Sequence, residues 1–272
     1  VNTIIGITQS SSAGGVLDPS STQSNNAVLD QNIVLLNDCD EFDLGGNAAS
    51  CVNFELENSI GPIIQTSSNA PGDQTFGTTI TQTNDVVISQ NLQATNDCDE
   101  QGDSDNLAEC TNNVDNFISS ISQANGANVA DDFVQNNLIG IINQDLQVIN
   151  DCDDTDADVV GDGVNNADCF NGADIAIGPV TQSNTAQGTE VTDISQNNEI
   201  SNINQVLLAD TDCDQSGPGD NLAECGFEAG IIVQGITQTN DAAGDLFTDF
   251  FQDNDASISQ AMDISNNCDE TT

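Results

Sequence analysis

The frame of Gln, seven further residues and Cys occurs five times in this chain of 272 residues. Successive cysteines of the frame are 59, 54, 61 and 55 residues apart, whereas the distance from glutamine to cysteine never changes. Because loops vary in length and core segments do not, the frame indicates a core segment that each copy contains once. The copies run from Gln31 to Cys39, Gln90 to Cys98, Gln144 to Cys152, Gln205 to Cys213 and Gln260 to Cys268.

The residues that lead into each frame alternate with period two. In the second copy, Gln82, Asn84, Val86, Ile88 and Gln90 share one parity, which is typical of a β-strand with amide and apolar side chains on its inner face. The third and fourth copies hold one extra residue between their two glutamines, and this residue would invert the two faces of the strand. The sequence therefore predicts a β-bulge or an arch in these two copies.

A further strand is predicted before each of these, marked by an apolar residue two positions before a glutamine. Turn-forming segments rich in Gly, Ser, Asn and Asp separate the strands, and helix signals are few. We therefore predict an all-β fold, a five-copy disulfide-stapled β-repeat that stacks like a β-arch or solenoid and carries long acidic loops. It forms a single array over 1–272, with approximate copies 1–60, 61–118, 119–177, 178–231 and 232–272. The pairs that mark the further strand are Ile7 and Gln9, Ile63 and Gln65, Ile121 and Gln123, Val180 and Gln182, and Ile236 and Gln238.

The repeated glutamines predict ladders of amide hydrogen bonds. Identical Gln or Asn side chains on stacked strands bond to one another along the stack, as they do in cross-β structures. Amides that only replaced Lys and Arg as surface residues would not keep a fixed distance to cysteine, so we favour the ladder. Its predicted members are Gln31, Gln90, Gln144, Gln205, Gln260, Gln23, Gln82, Gln135, Gln196 and Gln252.

The charge of the chain excludes several classes of function. It contains 45 acidic residues and no Lys, Arg or His, so its formal net charge is −45. Binding of nucleic acid or of an anionic membrane surface needs basic residues, and no apolar run is long enough for membrane insertion. Without His, Lys, Arg, Tyr or Trp, most nucleophilic and acid–base catalysis is unavailable. We therefore predict that the protein is not an enzyme and requires no cofactor.

Nine cysteines form four close pairs and one remainder. Structural zinc sites favour shorter Cys spacings and often contain histidine, so we predict disulfides and an oxidising, extracellular location at a cell surface or sheath. The remaining Cys268 is either unpaired or forms a disulfide with another molecule. The predicted pairs are Cys39 with Cys51, Cys98 with Cys110, Cys152 with Cys169, and Cys213 with Cys225.

Acidic residues crowd the segments between the paired cysteines. Oxygen ligands in such numbers suit Ca²⁺, which takes six to eight of them, while a solvated acidic surface is the alternative. An EF-hand is not indicated, since the glycine and the flanking helices of that motif are absent. The candidate ligands are Asp97, Asp99, Asp103, Asp105, Asp151, Asp153, Asp156 and Asp162.

The spacing Gln82-x-Asn84-x5-Gln90, repeated from Gln23 and from Gln252, resembles the Gln/Asn-spaced repeats of curlin-type functional amyloid subunits. That resemblance implies β-arches that stack into extracellular fibres. In overall character the chain is also similar to the acidic, disulfide-linked tubular sheath proteins of methanogenic archaea.

These observations predict a structural subunit of an extracellular polymer, an amyloid-like fibre, a ring or a cell sheath. The first and last copies are as regular as the others and carry no polar capping unit, so their open strand edges are expected to pair with further copies of the same chain. The alternative is a secreted Ca²⁺-binding adhesion solenoid.

Overall fold

The structure is a computed structural model. It describes residues 2–13, 20–42, 48–69, 79–102, 106–128, 132–156, 164–188, 193–217, 220–244 and 249–271. These residues form eighteen β-strands, numbered β1 to β18 in chain order, and no helix. The all-β class predicted from the alternation is therefore confirmed.

The strands belong to three sheets. Sheet A contains β1 (Asn2–Ile4), β5 (Ala48–Ile60), β9 (Asn106–Ile118), β13 (Val164–Ile177) and β16 (Asp220–Val233). Sheet B contains β2 (Ile7–Ala13), β6 (Ile63–Asn69), β10 (Ile121–Asn128), β14 (Val180–Gln187) and β17 (Ile236–Ala243). Sheet C contains the long strands β3 (Ser20–Asp38), β7 (Thr79–Asp97), β11 (Asp132–Asp151), β15 (Asp193–Ser216) and β18 (Asp249–Thr271), with short β4 (Glu41–Phe42), β8 (Glu100–Gly102) and β12 (Asp154–Asp156).

All strand pairs are parallel, and the main strands stack in chain order within each sheet. The chain leaves a strand of sheet A, enters sheet B, returns along sheet C and then re-enters sheet A beside its earlier strand. Equivalent residues therefore lie directly above one another, as Gln82 does above Gln23. A parallel stack of this kind places equivalent side chains about 4.8 Å apart.

Sheets A and B lie side by side and together cover sheet C. The amide of Gln90 in β7 donates to Asn58 O in β5 of sheet A at 2.9 Å, and that of Gln82 donates to Gly126 O in β10 of sheet B at 3.1 Å. Along β7 the side chains are alternately buried and half-buried, because one face of the strand points between the layers. The period-two pattern thus defines the interior of the fold.

Sharp corners join sheet A to sheet B, and two of them require glycine. A Cβ atom at Gly61 would overlap the carbonyl oxygen of Ile5, and one at Gly178 would overlap that of Ser119. The backbones approach closely because Gly61 N donates to Ile4 O at 2.6 Å and Gly178 N donates to Ile118 O at 2.7 Å. These bonds continue the stacking through the corners.

The apolar core consists of separate clusters with amides between them. The largest lies at the A–B corners, where isoleucines on both sides of each corner, such as Ile60 and Ile63, pack on inward residues of sheet C, such as Val86 and Ile88. A second cluster combines Leu92 and Val114 with their stacked equivalents, and a third contains the cysteines. Hydrophobic burial therefore holds the layers together at intervals along each strand.

The predicted β-bulges are present. The register of β11 against β7 shifts between Ile139 and Ile142, and that of β15 against β18 shifts between Ile200 and Ile203. Because β11 and β15 both carry the extra residue, they pair with each other without interruption. The bulges keep the glutamines on both sides of the extra residue on the inner face. A register shift between Asn53 and Leu56 in β5 was not predicted.

Candidate functional site

The glutamines of the Gln-x7-Cys frame form one column through sheet C, which is buried except at Gln260. Each side chain after Gln31 donates from Nε2 to Oε1 of the glutamine on the preceding long strand. The distances are 2.7 Å from Gln260 to Gln205, 2.8 Å from Gln205 to Gln144, 2.8 Å from Gln144 to Gln90 and 2.9 Å from Gln90 to Gln31. These are good amide hydrogen bonds, and all four have the same direction.

The upstream glutamines form a second column with the same direction. Gln252 donates to Gln196, Gln196 to Gln135, Gln135 to Gln82 and Gln82 to Gln23, at 2.6 to 2.9 Å. The structure thus brings together all ten glutamines that the sequence marked, in two columns.

A third glutamine column lies in sheet B and was not predicted as a ladder. It links Gln238, Gln182, Gln123, Gln65 and Gln9 at 2.7 to 2.9 Å, again from the later strand to the earlier one. The recurrence of an apolar residue two positions before each of these glutamines was the available signal, and it was used only to place the strands.

Asparagine columns run between the glutamine columns in the opposite direction. In sheet C, Asn25 donates to Asn84, Asn84 to Asn137, Asn137 to Asn198 and Asn198 to Asn254, each at about 2.9 to 3.0 Å. Here the earlier strand donates to the later one. Asparagine is frequent throughout the chain, so its positions alone did not reveal these columns.

Interior amides of the columns also form hydrogen bonds to the facing sheet. Gln123 donates to Leu138 O at 2.9 Å in addition to its column partner, and Asn184 donates to Asn197 O at 3.0 Å. An amide group has two N–H donors, so an interior side chain uses one along the column and one across it. Such hydrogen bonds contribute about 1 kcal/mol each, and loss of a partner inside the core costs about 1–3 kcal/mol.

The cysteines stack at one end of the interior, and their pairing differs from the prediction. Cys39 and Cys51 form a disulfide as expected. The other three predicted pairs are replaced by bonds that join one strand layer to the next, and Cys268 is bonded within the chain while the buried Cys98 is free. These bonds link Cys110 with Cys152, Cys169 with Cys213 and Cys225 with Cys268.

Stacking is the physical reason for this difference. Cys110 lies between Cys98 and Cys152 on the facing sheet, and the three sulfurs are within 4.8 Å of one another. Spacing along the sequence favours the nearer residue in the chain, but in the folded protein both neighbours lie within 4.8 Å of Cys110.

Carboxylates flank the cysteines in two further columns. Burial, followed by the negative charges of Asp153 and Asp97, raises the pKa of Asp151 to about 6. Burial and neighbouring carboxylates also raise the pKa of Asp97, Asp99 and Asp153. Like charges stacked without any basic residue oppose each other's ionisation.

The predicted Ca²⁺ ligands are only partly brought together. Asp97 and Asp99 lie with Asp40, each offering an oxygen within 4.8 Å of the others. Asp40 was not among the predicted ligands, although it occupies the same place in its Asp-Cys-Asp motif as Asp99. Asp151 and Asp153 stack above Asp97 and Asp99, and Asp156 lies in β12. Asp103, Asp105 and Asp162 lie outside the described residues.

The outermost strands of sheet C have one paired edge each. Among the described residues β3 pairs only with β7, and β18 pairs only with β15. The inward side chains of β18 are consequently open, since Ile258 is 47% exposed and Met262 44% exposed, whereas the stacked Ile203 and Leu207 of β15 are fully buried. This edge has the composition of a core and the exposure of a surface.

No protein-family model, curated protein or solved structure matches this chain. The described part of the chain also contains no helix with the length and hydrophobicity needed to span a membrane. Function must therefore be inferred from the columns and the strand edges.

Proposed function

We propose that this chain is a five-copy β-solenoid and the structural subunit of an extracellular polymer in which copies of the chain stack end to end. The observation that carries the proposal is the complementarity of the two ends of the glutamine columns. The last glutamines of all three columns present acceptors. The first glutamines of two columns, Gln9 and Gln23, present donors, whereas Gln31 donates to Asn2 O and Ser59 O within the chain.

At the end formed by β17 and β18, no described amide donates to Oε1 of Gln238, Gln252 or Gln260. At the opposite end, Gln9 Nε2 donates only to Asn26 O, and Gln23 Nε2 donates only to Ser68 O. Each of these two amides therefore retains an N–H. A second chain stacked in the internal register would supply the missing partner at both positions.

Backbone groups and apolar side chains support the same stacking. Within the described residues, the outer edges of β3 and β18 have no partner strand, and such an edge is a template for a further strand. Stacking would cover Ile258, Met262 and Ile264, whose present exposures are 42–47%. Burial of large aliphatic side chains contributes about 1.5–3 kcal/mol each when complete, so several together offset much of the cost of association.

The remaining features suit a durable material outside the cell. Four disulfides are typical of proteins in oxidising compartments, and they restrict the unfolded chain. Because the sequence has no Lys or Arg, it offers no cleavage site to trypsin-like proteases. The resemblance to curlin-type and sheath proteins leads to the same proposal.

A second candidate is a secreted Ca²⁺-binding adhesion solenoid. The grouping of Asp40, Asp97 and Asp99 favours it, because hard cations bind clusters of carboxylate oxygens. In this case chelation would lower the melting temperature markedly, and the chain would remain dispersed.

Electron microscopy and fibre diffraction of the oxidised protein, with and without EDTA, test the two proposals. The polymer predicts fibres or hoops with a repeat of about 4.8 Å along the stacking axis that persist in EDTA. A stable soluble monomer at high concentration would contradict the polymer, and loss of thermal stability in EDTA would then favour the adhesion solenoid.

A further inference from the structure

The nine sulfurs form one continuous staircase. The cysteines within or directly after the long strands of sheet C, here called the cysteines of sheet C, alternate along it with cysteines of sheet A. The sulfur of each sheet A cysteine and those of the two sheet C cysteines beside it lie within 4.8 Å of one another. Bonds within one strand layer and between layers span similar Cα–Cα distances, 5.9 Å for Cys39–Cys51 and 6.3 to 6.5 Å for the other three, all in the range of ordinary disulfides. Along the staircase the order is Cys39, Cys51, Cys98, Cys110, Cys152, Cys169, Cys213, Cys225 and Cys268.

We propose that this staircase is a thiol relay, in which the single unpaired thiol moves between the cysteines of sheet C by exchange with neighbouring disulfides and reaches the two open ends of the stack. Disulfide exchange needs a thiolate next to a disulfide sulfur, and every disulfide here has a further sulfur beside it. The chemistry is therefore available at every position.

Each step of the relay conserves the number of bonds. The Cys98 thiolate attacks Cys110, the Cys98–Cys110 bond forms, and the Cys110–Cys152 bond breaks. The electron pair of the broken bond leaves on Cys152, which takes up a proton or continues the exchange. No oxidant is consumed. The same step at Cys169 and then at Cys225 passes the thiol to Cys213 and finally to Cys268, while attack of Cys98 on Cys51 releases Cys39 in the other direction.

Parity restricts where the thiol can reside. If every disulfide joins two neighbouring sulfurs in the row of nine, one sulfur stays unpaired. The number of sulfurs on each side of it must then be even. Only the five cysteines of sheet C satisfy this condition, and these are the cysteines of the Gln-x7-Cys frame. The four cysteines of sheet A, Cys51, Cys110, Cys169 and Cys225, are always bonded.

The relay would place a thiol at either end of the stack, where it is more accessible than at Cys98. Cys39 and Cys268 are partly buried, whereas Cys98 is fully buried, and Cys268 lies on the open strand β18. A thiol delivered to either end could form a disulfide with a second copy of the chain, a consequence that rests on the proposed polymer. Burial, followed by the nearby carboxylates, raises the pKa of Cys98 to about 12, so exchange is slow at neutral pH and accelerates in alkali.

Thiol counting in two matched variants tests the relay without any polymer. The variants Cys213→Ser and Cys110→Ser are oxidatively refolded and incubated at pH 9 in air, so that dissolved oxygen oxidises any two thiols that exchange brings together. They are then unfolded in acid to stop exchange and titrated with a pyridyl disulfide. The relay predicts no thiol in Cys213→Ser, because the sulfurs on both sides of the gap are even in number and can all pair. It predicts two in Cys110→Ser, which leaves odd numbers on both sides.

Fixed disulfides predict a different count. If the bonds of the structure could not rearrange, Cys213→Ser would leave Cys98 and Cys169 unpaired, and two thiols would be found. That result would overturn the relay.

The unmodified chain provides a measurement that does not depend on refolding of variants. Alkylation after incubation at pH 9, followed by peptic digestion in acid and mass spectrometry, should find the label spread over Cys39, Cys98, Cys152, Cys213 and Cys268. A label that stays on Cys98 alone, or that appears on a cysteine of sheet A, contradicts the proposal. Since both assays count or locate thiols within single chains and need no polymer, their failure is distinguishable from a failure to polymerise.

Discussion

The amide of Gln205 donates to Gln144 Oε1 at 2.8 Å, although 61 positions separate the two residues in the sequence. Gln144 in turn donates to Gln90, so Gln144 is both donor and acceptor in one column. Glutamines that recur in the sequence are therefore joined by a row of hydrogen bonds. The contribution of this row to the free energy of unfolding can be measured.

Replacement of Gln144 by Met is expected to destabilise the protein by about 2–4 kcal/mol, because it leaves the Gln205 donor and the Gln90 acceptor without their buried partner. The control is Gln147→Met, which changes a half-buried side chain on the outer face of the same strand and should alter stability by less than about 0.5 kcal/mol. Urea unfolding of both variants measures the difference. Equal losses would show that the column contributes nothing special.

Glycine at the A–B corner is expected to be indispensable. Gly61→Ala places a Cβ atom against the Ile5 carbonyl oxygen, so the corner must open, and we expect a loss of several kcal/mol or failure to fold. Gly126→Ala is the matched control, since no atom lies within 4 Å of the added Cβ and the strand should gain up to about 1 kcal/mol. Thermal unfolding separates the two, and a tolerated Gly61→Ala would contradict the corner geometry.

The protein is expected to become more stable as the pH falls from 7 towards 4. The pKa of Asp151 is raised to about 6 from its ordinary value of 3.8, and those of Asp97, Asp99 and Asp153 are also raised. The folded state therefore binds protons more tightly than the unfolded chain, and the repulsion between these carboxylates is absent below their unfolded pKa and complete above their folded pKa.

Melting temperatures measured between pH 3.5 and 8 test this prediction. In the variant Asp151→Asn, the melting temperature should be higher at pH 7 and should depend less on pH between 4 and 6. A melting temperature that decreases steadily on acidification would be the opposite outcome.

Assembly through the β18 edge is expected to fail when a charge is placed on its inner face. Met262→Asp puts a carboxylate where the next chain would bury it, yet the residue is exposed in the single chain, so the monomer should still fold. Ala261→Asp adds the same charge on the outer face of the same strand, next to the position that Asn32 of the next chain would take. Sedimentation and electron microscopy should show polymer for Ala261→Asp alone. Polymer in both variants would exclude this edge.

The sequence was sufficient to predict the strands and their inner faces, but it did not predict which strands pair with one another. Parity around Gln82 and Gln90 identified the inner face, and the extra residue before Gln144 identified the bulge, because both are local properties of one strand. The parallel arrangement of the sheets is not local. It depends on the path of the chain through all three sheets.

The cysteine pairing shows the same limit more clearly. Distance along the chain suggested Cys98 with Cys110, whereas the stack places Cys152 beside Cys110 as well. Which cysteine pairs with Cys110 depends on how the strands stack in the folded protein. The asparagine columns were missed for a different reason, since asparagine also occurs at many turn positions and its ladder members, such as Asn84, do not stand out by spacing alone.

The opposite directions of the glutamine and asparagine columns have an electrical consequence. Amide groups aligned head to tail add their dipoles, as peptide groups do along a helix, and each added layer would increase the total. Here the glutamines point their N–H groups towards the first strands, and the asparagines point theirs towards the last. The two sets of dipoles oppose one another, so the field along the axis grows less with each added layer than it would if all the amides pointed the same way.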